Sequence, residues 1–340
     1  MPEVFFFTNR QVTGPAENPA SYGASPAFKM TTGIAQVSPA DLTTLTDGAI
    51  TGLEELSKET LSPAAAVRLK AADNIIVFVH GFANSFPDSV LRAAFNLEWF
   101  TSFGTLQGRT AVVLFSWPSS GKTVEFGPVL VSLTLLPLIA IGSGLEGHLT
   151  APAAQFYRDD QRQARDSADE FLSALDGVGF AMEAVRRRGG RLVLLVHSLG
   201  HEVIAQAMSR PSSPGGMLFH EAVLAAADTA AVRDRPLLPW VGQLAQVAQR
   251  VHFYTHSSDR VLHISAAVNF RERVGQRGAV GMPSPGQGTL RWVDCSVFTE
   301  AGTNWEQVGR HWYYRRIKPV GADIAAAMVG QGLPGRNVFS

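Results

Sequence analysis

The chain has one cysteine, Cys295, among 340 residues, so no intramolecular disulfide can form. A large chain without such bridges suits a reducing compartment, and a cytoplasmic location is the expectation. An excess of charge is missing too: 29 Lys and Arg stand against 29 Asp and Glu. Nucleic-acid binding draws its affinity from neutralising phosphates, so a balanced chain gives no reason to expect that partner. The basic cluster Arg186-Arg187-Arg188 reads as the solvated last turn of a helix, where the dipole favours cations. No basic leader precedes the short apolar stretch Val4–Phe7, which reads as a first strand rather than a signal peptide. No apolar run reaches membrane-spanning length. The longest, residues 128–141, is broken by Pro137 and followed by Gly142-Ser143-Gly144. No phosphate-binding glycine loop, dinucleotide fingerprint or H-E-x-x-H pair occurs, so neither a cofactor nor a metal is expected. His197 and His201 are four apart, but His197 falls on the strand side of a corner, which argues against a zinc pair.

What the chain does have is apolar substance. Hydrophobic residues make up 46% and charged residues 17%, enough to bury a sizeable core. Seven runs have strand character: Val4–Phe7, Ile75–Val79, Ala111–Trp117, Leu192–Val196, Ala222–Ala226, Val251–Thr255 and Leu290–Val293. The middle ones are apolar throughout rather than alternating, as strands buried on both faces of a parallel sheet are. Helical stripes lie between them. One starts at a Ser85 cap with Asp88 in its first turn; another runs through Asp160–Arg188. This alternation predicts a doubly wound α/β sheet in a single domain, residues 1–340. Residues 11–26 and 281–288, rich in Gly, Pro and Ser, read as loops.

Residues 123–157 interrupt the rhythm. They are read as an apolar lid or cap, because they follow a strand C-terminus, where sites of open α/β sheets form. A buried helix hairpin is the alternative, and residues 128–141 also offer an interfacial contact.

The chemistry is concentrated where Leu192-Val193-Leu194-Leu195-Val196 stops at His197-Ser198-Leu199-Gly200 and a helical pattern resumes. A serine on such a strand-to-helix corner projects its hydroxyl, and the next backbone N–H faces a developing oxyanion. Ser198 needs a base, and nine histidines are available. His311 comes after the last strand-like run, matching the chain order Ser, acid, His. Asp259, in the loop after Val251–Thr255, is the preferred acid. Asp228 is its rival, unless it caps a helix before Ala230–Val232. The loop His80-Gly81-Phe82 after the buried run Ile75–Val79 places the Phe82 N–H beside that of Leu199 as the two oxyanion donors. His80, Gly81, Trp117 and His201 are pocket candidates; Trp117 reads equally well as core, and His201 as a cap. Cys295 reads as a small buried hydrophobe in a strand.

These residues resemble the α/β-hydrolase superfamily. Within it, the chain is similar to an uncharacterised bacterial branch of esterase/lipase-like proteins. The resemblance rests on Phe7-Thr8-Asn9-Arg10, Val79-His80-Gly81-Phe82-Ala83-Asn84-Ser85-Phe86 and Phe115-Ser116-Trp117-Pro118-Ser119-Ser120-Gly121. It continues through His197-Ser198-Leu199-Gly200, Ala226-Ala227-Asp228, Tyr254-Thr255-His256-Ser257-Ser258-Asp259, Arg273-Val274-Gly275 and His311-Trp312-Tyr313-Tyr314. It implies an α/β-hydrolase fold with a mostly parallel central sheet flanked by helices, and catalytic roles for Ser198, Asp259 and His311. The chain departs from the pattern at Val196, where the general motif has glycine, and at His201, where the branch has asparagine. Its 123–157 segment is also longer and more apolar. The expected activity is hydrolysis of a small ester with a hydrophobic acyl or aryl group. An amidase, peptidase or acyltransferase with the same machinery, or a silent scaffold that binds a ligand or partner, are the alternatives.

Overall fold

The computed structural model describes residues 1–120, 151–212, 214–231, 238–277, 289–299, 309–331 and 335–339. Among them, ten strands form one sheet: β1 (Glu3–Val12), β2 (Tyr22–Val37), β3 (Ile50–Lys58), β4 (Asn74–Val79), β5 (Thr110–Ser116), β6 (Leu192–His197), β7 (Phe219–Ala225), β8 (Ala248–Thr255), β9 (Leu290–Asp294) and β10 (Gly335–Val338). Their order is β10-β9-β8-β7-β6-β4-β5-β1-β2-β3. Only β2 runs against the rest: it pairs antiparallel with both β1 and β3, and the other pairings are parallel.

The seven strand-like runs all become strands, for the reason their composition suggested. Every residue of β4 and β6 is buried. Alternate side chains feed two separate cores. Ile75, Val77, Val79, Leu194 and Val196 join one. Ile76, Phe78, Val193 and Leu195 join the other. Burying each such side chain stabilises the fold by roughly 1.5–3 kcal/mol. The first core is closed by α1 (Pro63–Lys70), α3 (Ala151–Asp166), α4 (Ala168–Arg187), α5 (Gly200–Met208) and α6 (Pro239–Val247). The second is closed by α2 (Phe86–Thr101) and α10 (Lys318–Met328). The short helices α7 (Arg260–Asn269), α8 (Val274–Arg277) and α9 (Tyr313–Arg316) lie after β8 and β9. No helix among the described residues is long and apolar enough to cross a membrane.

The structure corrects several expectations. Residues 11–26 are not all loop: β1 runs to Val12 and β2 starts at Tyr22, with Arg10 paired to Pro26 across register shifts. Polar and proline-interrupted, β2 hides its strand character because much of its outer half is exposed. The stripe through Asp160–Arg188 is two helices, α3 and α4, parted at Ser167. The Ser167 hydroxyl donates to Gln163 O at 2.7 Å, the back-bond by which serine bends helices. Cys295 is buried, as expected, but lies one residue past β9. The cap at Ser85 is a full capping box with Asp88. The Arg186–Arg188 cluster is spent on its own surroundings: Arg187 on Glu183, and Arg188 on the carbonyls of Lys70 and Ala72. Most of the apolar interruption, residues 121–150, and the loop 281–288 lie outside the described residues.

Candidate active site

Parallel strands send their C-terminal ends to one edge of the sheet, so the loops after β4, β6, β7 and β8 converge there. At the centre, β6 ends at His197 and α5 begins at Gly200, leaving two residues for the corner. Ser198 takes φ +52°, a left-handed conformation that strains a residue with a side chain. The strain is held by hydrogen bonds on both sides. Ser198 N donates to Ala225 O at 3.0 Å, and Ser198 O accepts from His201 N at 3.1 Å and Asp228 N at 3.3 Å. Gly200 lets the corner sit close to the neighbouring strand, since a Cβ there would lie 2.6 Å from His80 O. Val196, where a glycine was the commoner choice, is fully buried in the ladder between Val79 and Leu224. The Ser198 hydroxyl is buried and makes no hydrogen bond among the described residues.

His311 lies in the turn leading into α9, and its Nδ1 donates to Asp259 Oδ2 at 2.7 Å. Both side chains are buried, Asp259 completely. The other oxygen of Asp259 accepts from Leu262 N at 3.0 Å and caps α7. With a proton on Nδ1, the Nε2 atom of His311 carries a free lone pair. Two further contacts place this turn. Arg260 N donates to Gly309 O at 3.0 Å. His197 Nε2 donates to His311 O at 3.2 Å, its ring 4.7 Å from that of His311. Burial, with His311 adding to it, holds His197 well below the usual histidine range, so it is neutral. The structure therefore joins His311 to Asp259 and sets His311 beside the serine corner, but no hydrogen bond links Ser198 to His311.

Asp228 is engaged elsewhere. It accepts from Tyr157 Oη at 2.7 Å and Ser265 Oγ at 2.5 Å, and pairs with Arg273 at 3.2 Å, all buried. Among the described residues 229–231 it starts no helix: Ala230 instead bridges to Arg273, which corrects the capping alternative for Asp228, while Val232 lies outside the described residues.

On the other flank, the loop after β4 presses against the corner. A Cβ on Gly81 would lie 2.7 Å from Ser198 Cβ, so only glycine permits this approach. The loop turns through Ala83 at φ +54°. Asn84 Nδ2 gathers it by donating to Gly81 O at 2.9 Å and Phe82 O at 2.8 Å. Phe82 is half-buried, with its ring 5.4 Å from that of Tyr157. Leu199, in the other donor position, occupies the N-cap position of α5 without a side-chain cap.

Of the pocket candidates, His80 is fully buried. It stacks on Trp117 at 5.0 Å, donates from Nδ1 to Gly81 O, and is held far below the usual histidine range, mainly by burial. Trp117 lies in the core and donates to His80 O at 2.8 Å, so it props the loop. His201 caps no N–H group. Its Nδ1 donates to Ser198 O at 2.7 Å, and burial pushes it down to about 3. Among the described residues no three His, Cys, Asp or Glu side chains group to hold a metal.

Sequence reasoning missed the braces. Arg10, buried, donates to Ser116 Oγ, Ser119 O and Asn84 O at 3.0, 2.9 and 2.7 Å. Burial pulls its guanidinium down to about 9, against the opposing charges of Asp160 and Asp88. Asp160 and Tyr157, on one face of α3, contact the two flanks of the corner. The available signals were the charge of Arg10 soon after Val4–Phe7 and the place of Arg10, Asn84, Ser116 and Ser119 in the segments of the family resemblance.

A family model described as "Alpha/beta hydrolase of unknown function (DUF900)" matches residues 57–311, from the end of β3 to His311. No curated protein and no solved structure matches the chain.

Proposed function

The chain belongs to the family of α/β-hydrolases of unknown function, and from that premise we propose that it is a serine hydrolase acting on carboxylic esters. The observation that carries this reading is the buried 2.7 Å bond from His311 to Asp259 beside a serine at φ +52°. Such a bond fixes the imidazole tautomer with Nε2 free to accept a proton.

In this mechanism the Ser198 hydroxyl adds to the acyl carbonyl while His311 Nε2 takes its proton. The N–H groups of Phe82 and Leu199 receive the oxyanion. His311 then returns the proton to the leaving alcohol, and Asp259 stabilises the imidazolium throughout. Water, activated by the same histidine, releases the acyl group and frees Ser198. A serine–histidine bond that is open in the free enzyme commonly closes once substrate is bound. His197 supports the backbone of the base, and His201 the carbonyl of the nucleophile. The reading takes residues 123–157 as a lid within a single domain. Its apolar run, 128–141, favours a hydrophobic acyl or aryl group.

A panel of chromogenic esters and amides, run on wild type and Ser198→Ala, tests the proposal beside a fluorophosphonate probe. Turnover of esters and labelling of Ser198, both lost in the variant, are expected. Activity that survives in the variant refutes the mechanism, and faster amide than ester turnover moves the assignment to an amidase. Deleting residues 128–141 should change the preference among acyl chain lengths; an unchanged preference in a folded deletion variant refutes the lid.

A further inference from the structure

The helix α3 carries a side chain that the reaction scheme leaves unused. Asp160 is buried, and its carboxylate reaches three separate partners. Oδ2 accepts from Ser119 Oγ at 2.5 Å and from Ala83 N at 3.4 Å, and Oδ1 accepts from Ser120 N at 3.0 Å. The same Ser119 hydroxyl accepts from Asn84 N at 3.2 Å. One carboxylate thus ties the turn after β5 to the loop that carries Phe82.

The anchorage of α3 makes this tie a fixed reference. Gln161 Nε2 and Arg165 Nε donate to Glu202 on α5, at 3.0 and 2.9 Å. Tyr157 bonds to Asp228, whose own N–H reaches Ser198 O. Residues 157, 160, 161 and 165 share a face, as the spacing of three and four requires. That face touches the helix behind the serine, the loop after β7 and the oxyanion loop together.

We infer that Asp160 is a positioning residue, whose carboxylate holds Ala83 in its left-handed turn and so fixes the Phe82 amide against the Ser198 corner. The inference rests on the hydrolase reading for its catalytic consequence, but not for the structural one. The physical reason is geometric. An oxyanion donor works only within a few tenths of an ångström of its place, and the loop holding this one has a strained residue, Ala83 at φ +54°, next to the donor. A carboxylate accepts on both oxygens. A carboxamide offers one acceptor oxygen and one donor group, so Asp160→Asn cannot accept from Ser120 N on one oxygen and from Ala83 N on the other, and the tie is weakened.

The experiment has two arms on the full chain, with Asp160→Asn, Ser119→Ala as a milder variant, and the neighbouring Asp159→Asn as control. In the first, hydrogen exchange should be about tenfold faster or more in a peptide covering residues 80–84 of Asp160→Asn, with β6 unchanged. Ser119→Ala should show a smaller rise and Asp159→Asn none. In the second, Asp160→Asn should lower ester kcat by about 10- to 100-fold with KM within about threefold, and weaken an alkyl boronic acid by the same factor, because its tetrahedral adduct uses the oxyanion donors. Unchanged exchange at 80–84 in both variants overturns the inference. So does faster exchange with unchanged kcat, or a change confined to KM. Absence of Ser198-dependent turnover in wild type defeats the hydrolase reading instead, and the exchange arm then decides alone whether Asp160 holds the loop.

Discussion

The two flanks of Ser198 are built in different ways. On the base side, Asp259 and His311 meet through one short bond, and each lies in its own loop beyond a strand end. On the oxyanion side, Arg10, Asn84, Ser116, Ser119 and Asp160 interlock through at least six buried hydrogen bonds drawn from β1, α3 and the loops after β4 and β5. The difference follows from what each side is asked to hold. A histidine that works through its ring is placed by one carboxylate and a turn, as His311 is by Asp259. A backbone amide has no side chain to reach with, so its whole loop must be clamped. The proposed base therefore rests on few residues, while the loop after β4 is held by many.

The comparison can be broken or sharpened by substitution, and the largest effect belongs to the base side. His311→Ala should lower ester kcat about 10³-fold or more, and Asp259→Asn should come close to it, with thermal melting little changed. Steady-state kinetics beside a melting curve checks this. Loss of stability equal to the loss of activity would mean that the pair is structural.

Arg10→Met should act the other way. It removes a buried cation that four acceptors share, so the cost falls on stability, about 2–4 kcal/mol, read as a lower midpoint in urea. If Arg10→Met melts like wild type, the oxyanion flank is less interlocked than its hydrogen bonds imply.

The smallest effect is a pH dependence of stability from His201. Its folded pKa is depressed, so the group contributes stability that is present above the unfolded value near 6.5 and is lost as pH falls toward about 3. Each pH unit below 6.5 costs about 1.4 kcal/mol from such a group. Urea midpoints at pH 7 and pH 5 should therefore fall less for His201→Gln than for wild type. Equal slopes would show that His201 is not the neutral, buried brace described above.

The same contrast explains what was legible. The base-side residues lie in short segments with chemical character of their own: an apolar run ending in His-Ser-Leu-Gly, and an acid and a histidine following strands in a set order. Choosing between Asp259 and Asp228 already needed distances, since both follow buried strands and both become buried. Arg10, Asn84, Ser116 and Ser119 lie in segments that carry the family resemblance, but nothing local joins them to one another or to Asp160. Arg10 and Ser119 are 109 residues apart, and Ser119 and Asp160 are 41 apart. The strand β2 was hidden for a related reason: its first half lies largely in solvent, and it shows neither alternation nor a long apolar run.

The sequence by itself determined the buried strands, the helices between them and the serine corner, because periodicity and β-branched composition act over a few neighbouring residues. Tertiary structure alone decided that Asp259, and not Asp228, bonds to His311, that Val196 fits where glycine is usual, and that Asp160 reaches the loop after β4. Each of these depends on burial and on distances between segments far apart in the chain, and such distances exist only once the sheet has brought its strand ends to one edge.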